Sequence, residues 1–529
     1  MRKITLFLLF LISTVSIYSQ TVYETDIKFE KDEYWWGGVV AFGSQMPYIK
    51  PVKEFDLSLQ NYNNQVVPLF VSNKGRYIWS DSPFKFEIKN NSIKIRSLYE
   101  KIEVVEAGKT LKEAYLSASQ KHFPPSGVLP DHLFFTMPQY NTWIELTYNQ
   151  NEKDILNYAQ SIIDNDFPKG VLMIDDNWQK HYGNFEFKAD KFSDPKRMIE
   201  KLHSMGFKVI LWVCPFVSGD SPEYRDLMSK GYLIKKKGTN IPAMIDWWNG
   251  QSACYDLTNP EAANYFVAQL KQVQHEYGVD GFKFDAGDNS FYNTDLIDSY
   301  KKDAKSVDHT LAWARVGLEF PFNEYRAGWK MGGEALVQRL GDKDYSWGAV
   351  KILIPEMISA GLLGYAYTCP DMIGGGQFGS FIGLDQTKFD QSLIVRSAQV
   401  HALMPMMQFS VAPWRILNKE NLDIVRNMAR LHEKMGSYIL SHAKESSNTG
   451  EPIIRHMEYL FPNEGFAECK DQFMLGDKYL VAPIISSDNK RTVKLPKGRW
   501  RDDLGKNYKG GQTISFDVPL DRLLYFEKL

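Results

Sequence analysis

Two aspartates in the sequence each follow a short apolar run with the composition of a buried strand. Asp285 ends Gly281-Phe-Lys-Phe, and Asp342 comes one glycine after Val337-Gln-Arg-Leu. When parallel strands close into a barrel, polar residues at their carboxyl ends meet at one mouth. Two carboxyls roughly 5 Å apart can together catalyse a substitution at a sugar carbon. One carboxylate attacks the carbon, and the other carboxyl exchanges a proton with the leaving oxygen. Asp285 is the predicted nucleophile and Asp342 the predicted general acid/base.

Each aspartate also has a purely structural interpretation. Asp285 could cap the following helix or pair with Lys283, as strand-end aspartates often do. Asp342 could likewise be a helix cap, and Asp344, two residues further on, competes with it for the catalytic role. We assign the acid/base role to Asp342 and expect Asp344 to cap the helix.

Carboxylates and indoles at other predicted strand ends have the chemistry that binds sugar hydroxyls. Asp175 and Asp176 are adjacent and lie close to Trp178, and ionised carboxylates form strong hydrogen bonds. Trp212 lies at the next strand end, and Trp248 lies in an irregular stretch that could form a pocket wall. A tryptophan is about as often a core residue, so the two indoles are weaker candidates than the acids.

Several basic residues fall on or just after predicted barrel strands. A buried cation without a partner is costly, so these residues should pair with the catalytic acids or with substrate oxygens. They are Lys283, Arg315 and Arg339. Asp371, a further candidate substrate ligand, follows another predicted strand and precedes three glycines that would allow close backbone approach, although a surface turn explains this pattern equally well.

The composition excludes several classes of partner and cofactor. Lys and Arg number 62 against 64 Asp and Glu, so no strong field favours nucleic acid or an anionic membrane. Aromatic residues make up 14% of the chain, which suits a site that binds a neutral oligosaccharide. The ten histidines form no ligand motif and the four cysteines match no zinc or redox spacing. We therefore predict no metal, no cofactor and no disulfide framework; the oligomeric state stays open.

Residues 1–20 read as a secretory signal peptide, with a basic start and an apolar run from residue 4 to residue 12. That run is too short to cross a bilayer, so we predict an exported protein, periplasmic or extracellular, without a membrane anchor. Short alternating segments over 21–128 predict an N-terminal β-sandwich. Residues 443–529 return to short strands and predict a C-terminal β-sandwich domain.

Between these β domains, residues 129–442 alternate short apolar runs with amphipathic stretches, the pattern of a (β/α)8 TIM barrel in an α/β fold. Eight barrel strands are predicted, at 133–136, 170–175, 208–213, 281–285, 310–315, 335–340, 364–368 and 403–408. Each of the acids singled out above falls at the carboxyl end of one of these runs or shortly after it.

Taken as a set, these segments resemble glycoside hydrolase family 31, and the resemblance covers nearly all of the chain after residue 20. The matching motifs are Asp175, Trp248-Asn-Gly, Lys283-Phe-Asp285, Gly341-Asp342 and Pro370-Asp-Met-Ile-Gly-Gly. The resemblance implies a barrel between β domains, with Asp285 as nucleophile and Asp342 as acid/base. It also implies sugar contacts from Asp175, Trp248 and Arg315, with Trp212 and Arg339 as further candidates.

Two departures from the family's α-glucosidases bear on the sugar that is bound. Lys283 stands where those enzymes usually carry an aromatic residue, and Ser410 stands where they carry the histidine of an Arg-x-His motif. The resemblance implies that both positions contact the sugar. With Trp35-Trp-Gly-Gly and Arg339-x-x-Asp, the sequence instead resembles the branch containing bacterial α-galactosidases and the myogenesis-regulating glycosidase. That resemblance implies terminal α-galactose as substrate. Residues 316–334, which include Glu324 and Arg326, are longer than the branch usually has.

Other functions are compatible with the same motifs. An α-glucosidase, α-xylosidase or α-N-acetylgalactosaminidase would share both acids and differ around Lys283, Trp212 and Ser410. A sugar-binding protein without activity could keep the barrel, because fold alone does not prove catalysis.

Overall fold

The computed structural model describes residues 21–382 and 389–529, so the predicted signal peptide lies outside the described residues. The described chain forms an N-terminal pair of β-sheets, a barrel of eight parallel strands and a C-terminal β domain. This is the architecture that the sequence predicted. Over these two ranges, no helix combines the length and the apolar character that crossing a membrane would require.

The N-terminal strands alternate side chains between a core and the surface. In Lys85–Lys89, Phe86 and Ile88 are buried and the residues between and beside them are not, as a strand with one face on a core requires. One sheet contains Tyr23–Lys28, Val52–Asp56, Lys85–Lys89 and Ser92–Ser97, and the other contains Trp35–Val39, Gln65–Ser72, Arg76–Trp79 and Glu103–Glu106. The helix Leu111–His122 follows, with Thr110 as its cap.

The barrel consists of eight short parallel strands. They are β1 (Gln139–Asn141), β2 (Val171–Ile174), β3 (Lys208–Val213), β4 (Gly281–Phe284), β5 (Phe322–Tyr325), β6 (Gln338–Arg339), β7 (Thr368–Cys369) and β8 (Gln408–Phe409). Neighbours along the chain pair with one another, and β8 pairs with β1. The gap between β7 and β8 is bridged just beyond β7, where Met372 pairs with Gln408. The carboxyl ends of all eight strands therefore meet at one mouth.

Helices on the outside of the barrel begin at residues that can cap them. Asn151, Asp194 and Ser346 each accept a backbone N–H from the first turn of the following helix, which satisfies one of its free donors. The longer helices between strands are Glu152–Asp164, Pro195–Ser204, Pro222–Lys230, Pro260–Tyr277, Ser306–Gly317, Trp347–Leu362 and Gln391–Ala402, and Lys419–Thr449 follows β8. Asp344 was expected to cap the helix after β6, but Ser346 is the residue that does so.

Two predicted barrel strands are wrong. Residues 133–136 form a helical turn, and the strand begins three residues later at Gln139. Residues 310–315 lie inside the helix Ser306–Gly317, whose buried positions follow the helical period along nearly its whole length. The fifth strand is Phe322–Tyr325 instead. The strands near the other six predictions exist, although those around residues 338, 368 and 408 are only two residues long.

The connection between β5 and β6 ties the barrel to the N-terminal sheets. The described chain has no helix in this connection. Gly328–Trp329 instead adds a parallel strand to the sheet that contains Gln65–Ser72. The Gln65 side chain also donates to the carbonyl oxygen of Arg326 at 2.6 Å. The N-terminal domain is thereby fixed against the barrel mouth.

The C-terminal domain has its own apolar core, which includes Leu480, Trp500 and Phe526. One sheet contains Ile454–Arg455, Phe473–Leu475, Tyr479–Val481, Arg499–Asp502, Asn507–Lys509 and Tyr525–Lys528, and Lys490–Leu495 pairs with Gln512–Asp517. Arg396, in the helix Gln391–Ala402 between β7 and β8, donates to the Val518 carbonyl oxygen at 2.8 Å. This contact joins the C-terminal domain to a helix on the outside of the barrel.

Candidate active site

A cavity of about 450 Å³ lies at the carboxyl ends of the barrel strands. Both predicted catalytic residues, Asp285 and Asp342, are in its wall. The other lining residues that the sequence predicted are Asp175, Asp176, Trp212, Trp248, Lys283 and Arg339. Side chains that are up to 167 residues apart in the chain thus face the same space.

Asp285 directly follows β4 and is held as an anion. Its Oδ2 accepts the indole N–H of Trp212 at 2.9 Å, and its Oδ1 lies 3.0 Å from Arg326 Nε. Burial alone would raise the pKa of Asp285, but the charges of Arg326 and Lys283 outweigh burial and hold it well below the usual range. An ionised carboxylate with fixed orientation is what nucleophilic attack requires.

Asp342 follows β6 and faces the same cavity. Arg339 Nη1 donates to its Oδ1 at 2.7 Å, and 29% of the side chain is exposed. Burial raises the pKa of Asp342, but Arg339, Arg326 and Lys283 outweigh burial, so this pKa lies below its usual value. Asp342 is therefore ionised in the free cavity, and it must gain a proton before it can act as an acid.

Lys283 and Asp175 form an ion pair beneath the two acids. Lys283 Nζ donates to Asp175 Oδ2 at 2.6 Å, and both side chains are almost completely buried. Lys283 lies on β4 and Asp175 follows β2. The ion pair therefore connects the two strands that flank β3. The lysine thus has the partner that a buried cation requires.

Asp176 has a different environment from its neighbour. Its Oδ2 accepts from the Tyr182 hydroxyl at 3.2 Å and from Asn249 Nδ2 at 3.1 Å, while no described residue donates to its Oδ1. Burial, together with the charges of Asp175 and Asp285, raises the pKa of Asp176 to about 7. A buried oxygen without a donor, in the wall of a cavity, is suited to receive a ligand hydroxyl.

Arg326 is a site residue that the strand assignment missed. It follows β5, pairs with Asp285, and donates through Nη2 to Asp288 Oδ2 at 2.6 Å. The placement predicted for Arg315 is wrong, because Arg315 lies near the end of an outer helix and is exposed at a different surface cavity. Because the fifth strand is Phe322–Tyr325, Arg326 lies at the barrel mouth. The sequence had predicted Arg315 at that position.

Aromatic side chains form the rim of the cavity. Trp248 is 46% exposed, and the Arg326 guanidinium lies 5.2 Å from its ring centroid. Aromatic faces pack against the apolar C–H surface of sugars. The other aromatic lining residues are Trp143, Tyr148, Phe291 and Phe378, none of which the sequence analysis singled out.

Family models match most of the chain. A model of the TIM-barrel domain of glycosyl hydrolases family 31 matches residues 135–442. A model of the family 31 C-terminal domain matches residues 450–528. The chain belongs to glycoside hydrolase family 31. The family that the sequence motifs resembled is therefore confirmed.

Relatives within family 31 carry several different names. The chain is 32% identical over 422 residues to the myogenesis-regulating glycosidase of Mus musculus, covering 77% of this chain and 58% of that protein. It is 25% identical over 488 residues to an α-xylosidase of Emericella nidulans, covering 85% of this chain and 60% of the xylosidase. The chain thus spans about three fifths of the length of these two relatives.

Solved family 31 structures share the fold. A dextranase of Flavobacterium johnsoniae, complexed with glucose, superposes with a TM-score of 0.84 at 22% identity, covering 96% of this chain and 66% of the dextranase. An α-xylosidase from a soil metagenome, complexed with xylose, superposes with a TM-score of 0.82 at 21% identity, covering 96% of this chain and 79% of the xylosidase. At these identities the likeness establishes the fold alone.

In this family 31 barrel, the N-terminal domain contributes to the active-site mouth. Asn63 lines the cavity, Asn61 Nδ2 donates to Asp288 Oδ1 at 2.9 Å, and Asn64 Oδ1 accepts the Gly341 backbone N–H at 3.0 Å. The last contact holds the backbone immediately before Asp342. No local pattern in residues 61–64 indicated this role, because it depends on how two domains pack.

Besides Arg315, two further predicted substrate ligands of the family 31 site do not reach the cavity wall. The Ser410 hydroxyl is completely buried and accepts the Ile144 backbone N–H at 2.8 Å, so its position indicates a structural role. Asp371 is also completely buried and lies behind the wall, where its Oδ1 accepts from Arg339 Nη1 at 2.7 Å. Over residues 21–382 and 389–529, no cluster of three or more His, Cys, Asp and Glu is arranged to hold a metal ion.

Proposed function

We propose that the protein is a retaining α-glycoside hydrolase that removes a terminal sugar, and that this sugar is α-galactose. The observation that carries the proposal is that Asp285 and Asp342 line one cavity and that each pairs with an arginine, Asp285 with Arg326 after the neighbouring strand β5 and Asp342 with Arg339 on its own strand β6. Family 31 membership supports hydrolysis of α-glycosides. The whole protein's activity and substrate are part of this proposal.

In the first step, an Asp285 carboxylate oxygen attacks the anomeric carbon, and the bond from that carbon to the glycosidic oxygen breaks. The proton of Asp342 passes to the departing oxygen, so the aglycone leaves as a neutral alcohol. A bound glycoside displaces water from Asp342, and loss of solvent favours the neutral carboxyl. The free cavity holds Asp342 as an anion, so proton uptake must accompany substrate binding.

In the second step, water replaces the aglycone. Asp342, now ionised, accepts a proton from this water, whose oxygen attacks the anomeric carbon and releases Asp285. Arg326 and the Trp212 N–H, which hold Asp285, stabilise the departing carboxylate. Two inversions at one carbon retain the anomeric configuration.

Galactose is proposed as the bound sugar because charged groups replace an aromatic surface at the cavity floor. Lys283, paired with Asp175, presents a cation where the family's α-glucosidases usually carry an aromatic residue, and Asp176 adds an oxygen without a donor. A site with fixed polar groups strongly rejects a sugar whose hydroxyls leave those groups unpaired. The resemblance to the branch with bacterial α-galactosidases supports the same choice.

A panel of aryl α-glycosides tests the proposal. The purified protein should hydrolyse aryl α-galactoside with a kcat/KM at least about tenfold above the α-glucoside, α-xyloside and α-N-acetylgalactosaminide, since mismatched polar contacts carry penalties of this size or more. Proton NMR should show the α-anomer of the sugar as the first product. Preference for another sugar would overturn the galactose assignment alone, whereas binding without hydrolysis of any member would overturn the enzymatic function.

An Arg326→Gln substitution tests the correction to the predicted site. Losing the guanidinium leaves Asp285 and Asp288 without their shared cation, so the pKa of Asp285 should rise and the acid limb of the pH–rate profile should move to higher pH. We expect kcat/KM to fall roughly 10²-fold or more, as when one charge-stabilising donor is removed.

Arg315→Gln is the matched control for this substitution, since it makes the same change on an exposed outer helix. It should leave kcat/KM and the pH profile unchanged. Equal effects of the two substitutions would contradict the placement of Arg326 in the site.

A further inference from the structure

One nitrogen of Arg339 has more hydrogen-bond acceptors than protons. Its Nη1 lies 2.7 Å from Asp342 Oδ1, 2.7 Å from Asp371 Oδ1 and 3.0 Å from the Leu340 carbonyl oxygen. A guanidinium Nη carries two protons, so three acceptors compete for two donors. Asp342 and Asp371 therefore share one source of positive charge.

Asp371 is the rigid member of this pair. Its Oδ2 accepts the backbone N–H groups of Lys343 at 2.7 Å and of Gly376 at 3.0 Å, and its side chain is completely buried. Its φ of 82° is in the left-handed region, which most residues with a Cβ avoid. The position of Asp371 is therefore fixed whether or not a ligand occupies the cavity.

Asp342 is the adjustable member. Within residues 21–382 and 389–529, its carboxyl has a hydrogen bond from Arg339 alone, and it is partly exposed to the cavity. A Cβ on Gly376 would lie 2.7 Å from Asp342 Oδ1 and 3.0 Å from Asp371 Oδ1, so only glycine leaves room for both carboxyls. The local backbone is thus built to let two carboxyls approach the same guanidinium.

We propose that Asp371 is a positioning residue that sets the proton affinity of Asp342 by holding part of the charge of Arg339. The proposal rests on the hydrolytic function proposed above. With Asp371 ionised, the guanidinium charge is divided and Asp342 can take up the proton that the departing oxygen needs. Without that competitor, the full charge of Arg339 acts on Asp342 and keeps it ionised.

The surrounding groups set the direction of this effect. Burial raises the pKa of Asp371 to about 6 against the opposing charge of Arg339, so Asp371 carries its negative charge above that pH. The other titratable or charged groups around the two aspartates are Lys283, Asp285, Glu324, Arg326, Lys343, Glu356, Cys369 and His401. Burial lowers the pKa of His401 to about 4, so this residue stays neutral above that pH. Removing the negative charge of Asp371 should therefore lower the pKa of Asp342.

The test is the pH dependence of kcat in an Asp371→Asn variant of the full chain, because kcat reports the protonation states of the enzyme–substrate complex, in which Asp342 holds its proton. Hydrolysis of an alkyl α-galactoside needs protonated Asp342, so the basic limb of its profile should move about one unit or more to lower pH. Activity near neutral pH should fall about tenfold or more, whereas an aryl galactoside with a good leaving group should lose far less. Asp344→Asn makes the same change at an exposed site two residues from Asp342 and should leave the limb in place.

Several outcomes would overturn the proposal. A uniform loss at every pH, with the limb unmoved, would make Asp371 a structural residue. If Asp371→Asn does not fold, Asp371→Ser replaces it in the test, because serine removes the charge but retains an acceptor for a backbone N–H. The proposal then requires the basic limb of the Asp371→Ser profile to move to lower pH. Failure of both variants to fold would also assign a structural role. A wild-type protein that hydrolyses no α-glycoside would refute the proposed function itself, which is a distinguishable result.

Discussion

An Asp285→Asn variant is expected to lose at least about 10⁴-fold in kcat while keeping its fold, since removal of a catalytic nucleophile typically has effects of this size. The amide has nearly the same shape as the carboxylate but does not form the covalent bond to the anomeric carbon. The Trp212 N–H still finds an oxygen acceptor, and Arg326 keeps its second partner, Asp288. Steady-state hydrolysis of an aryl α-galactoside, with thermal unfolding to monitor the fold, measures the effect.

Asp288→Asn is a matched control for the nucleophile variant. It makes the same substitution three residues away, at a carboxyl that also pairs with Arg326. Burial raises the pKa of Asp288, so the neutral amide resembles a state that this residue reaches more readily than Asp285 does. Its kcat should fall much less than that of Asp285→Asn. Comparable losses in the two variants would point to disruption of Arg326 rather than to loss of a nucleophile.

A covalent trap identifies the nucleophile directly. A 5-fluoro glycosyl fluoride forms the glycosyl-enzyme but slows its hydrolysis, because fluorine disfavours the positive charge of the transition state. After proteolysis, mass spectrometry should find the sugar on the peptide containing Asp285. A label on Asp176 or Asp342 would contradict the assignment of the two roles.

The sequence predicted the site best where a long strand ends in a conspicuous residue. The strand Lys208–Val213 has its predicted bounds, and Trp212 near its end donates to Asp285. The fifth strand was missed because it is four residues long and contains Asn323 and Glu324, which do not resemble a buried apolar run. Both are nevertheless buried, with Asn323 bonded to backbone groups and Glu324 to Gln408. Polar residues inside the barrel thus concealed the strand, and Arg326 with it.

Other parts of the site depend on contacts that no local pattern encodes. Asn61 and Asn64 reach the barrel mouth only because Gly328–Trp329 joins the N-terminal sheet and brings the two domains together. Ser410 illustrates the opposite error. It is near the end of a barrel strand, as a ligand would be, but its hydroxyl accepts a backbone N–H and is buried. Position along a strand predicts proximity to the mouth, and the neighbouring backbone decides which way the side chain points.

The charges in the site explain why the two catalytic aspartates should behave differently. Asp285 contacts both an arginine and an indole N–H and is 16% exposed, whereas Asp342 has one arginine that it shares with Asp371. The contacts of Asp285 keep its carboxylate ionised and hold its orientation. The contacts of Asp342 leave a carboxyl whose protonation can change when a substrate displaces water, as alternating acid and base roles require.

An Asp342→Ala variant should therefore separate substrates by their leaving groups. Without a proton donor, cleavage of an alkyl α-galactoside should slow by roughly 10²- to 10⁴-fold, the usual contribution of general acid catalysis. A dinitrophenyl galactoside needs little protonation, so its first step should be nearly unaffected and the glycosyl-enzyme should accumulate as a burst of phenol. The basic limb of the pH profile, which the protonated Asp342 produces in the wild type, should disappear.

Azide tests the second half of the role of Asp342. The shortened side chain leaves room beside Arg339 for a small anion, and azide can displace Asp285 from the anomeric carbon without giving up a proton. Adding azide should accelerate turnover of the dinitrophenyl substrate in Asp342→Ala and yield an α-galactosyl azide, which NMR identifies. Asp344→Ala, at the exposed position two residues away, should show neither the leaving-group dependence nor the rescue. Equal losses for alkyl and aryl substrates in Asp342→Ala, with no azide product, would remove Asp342 from the acid/base role.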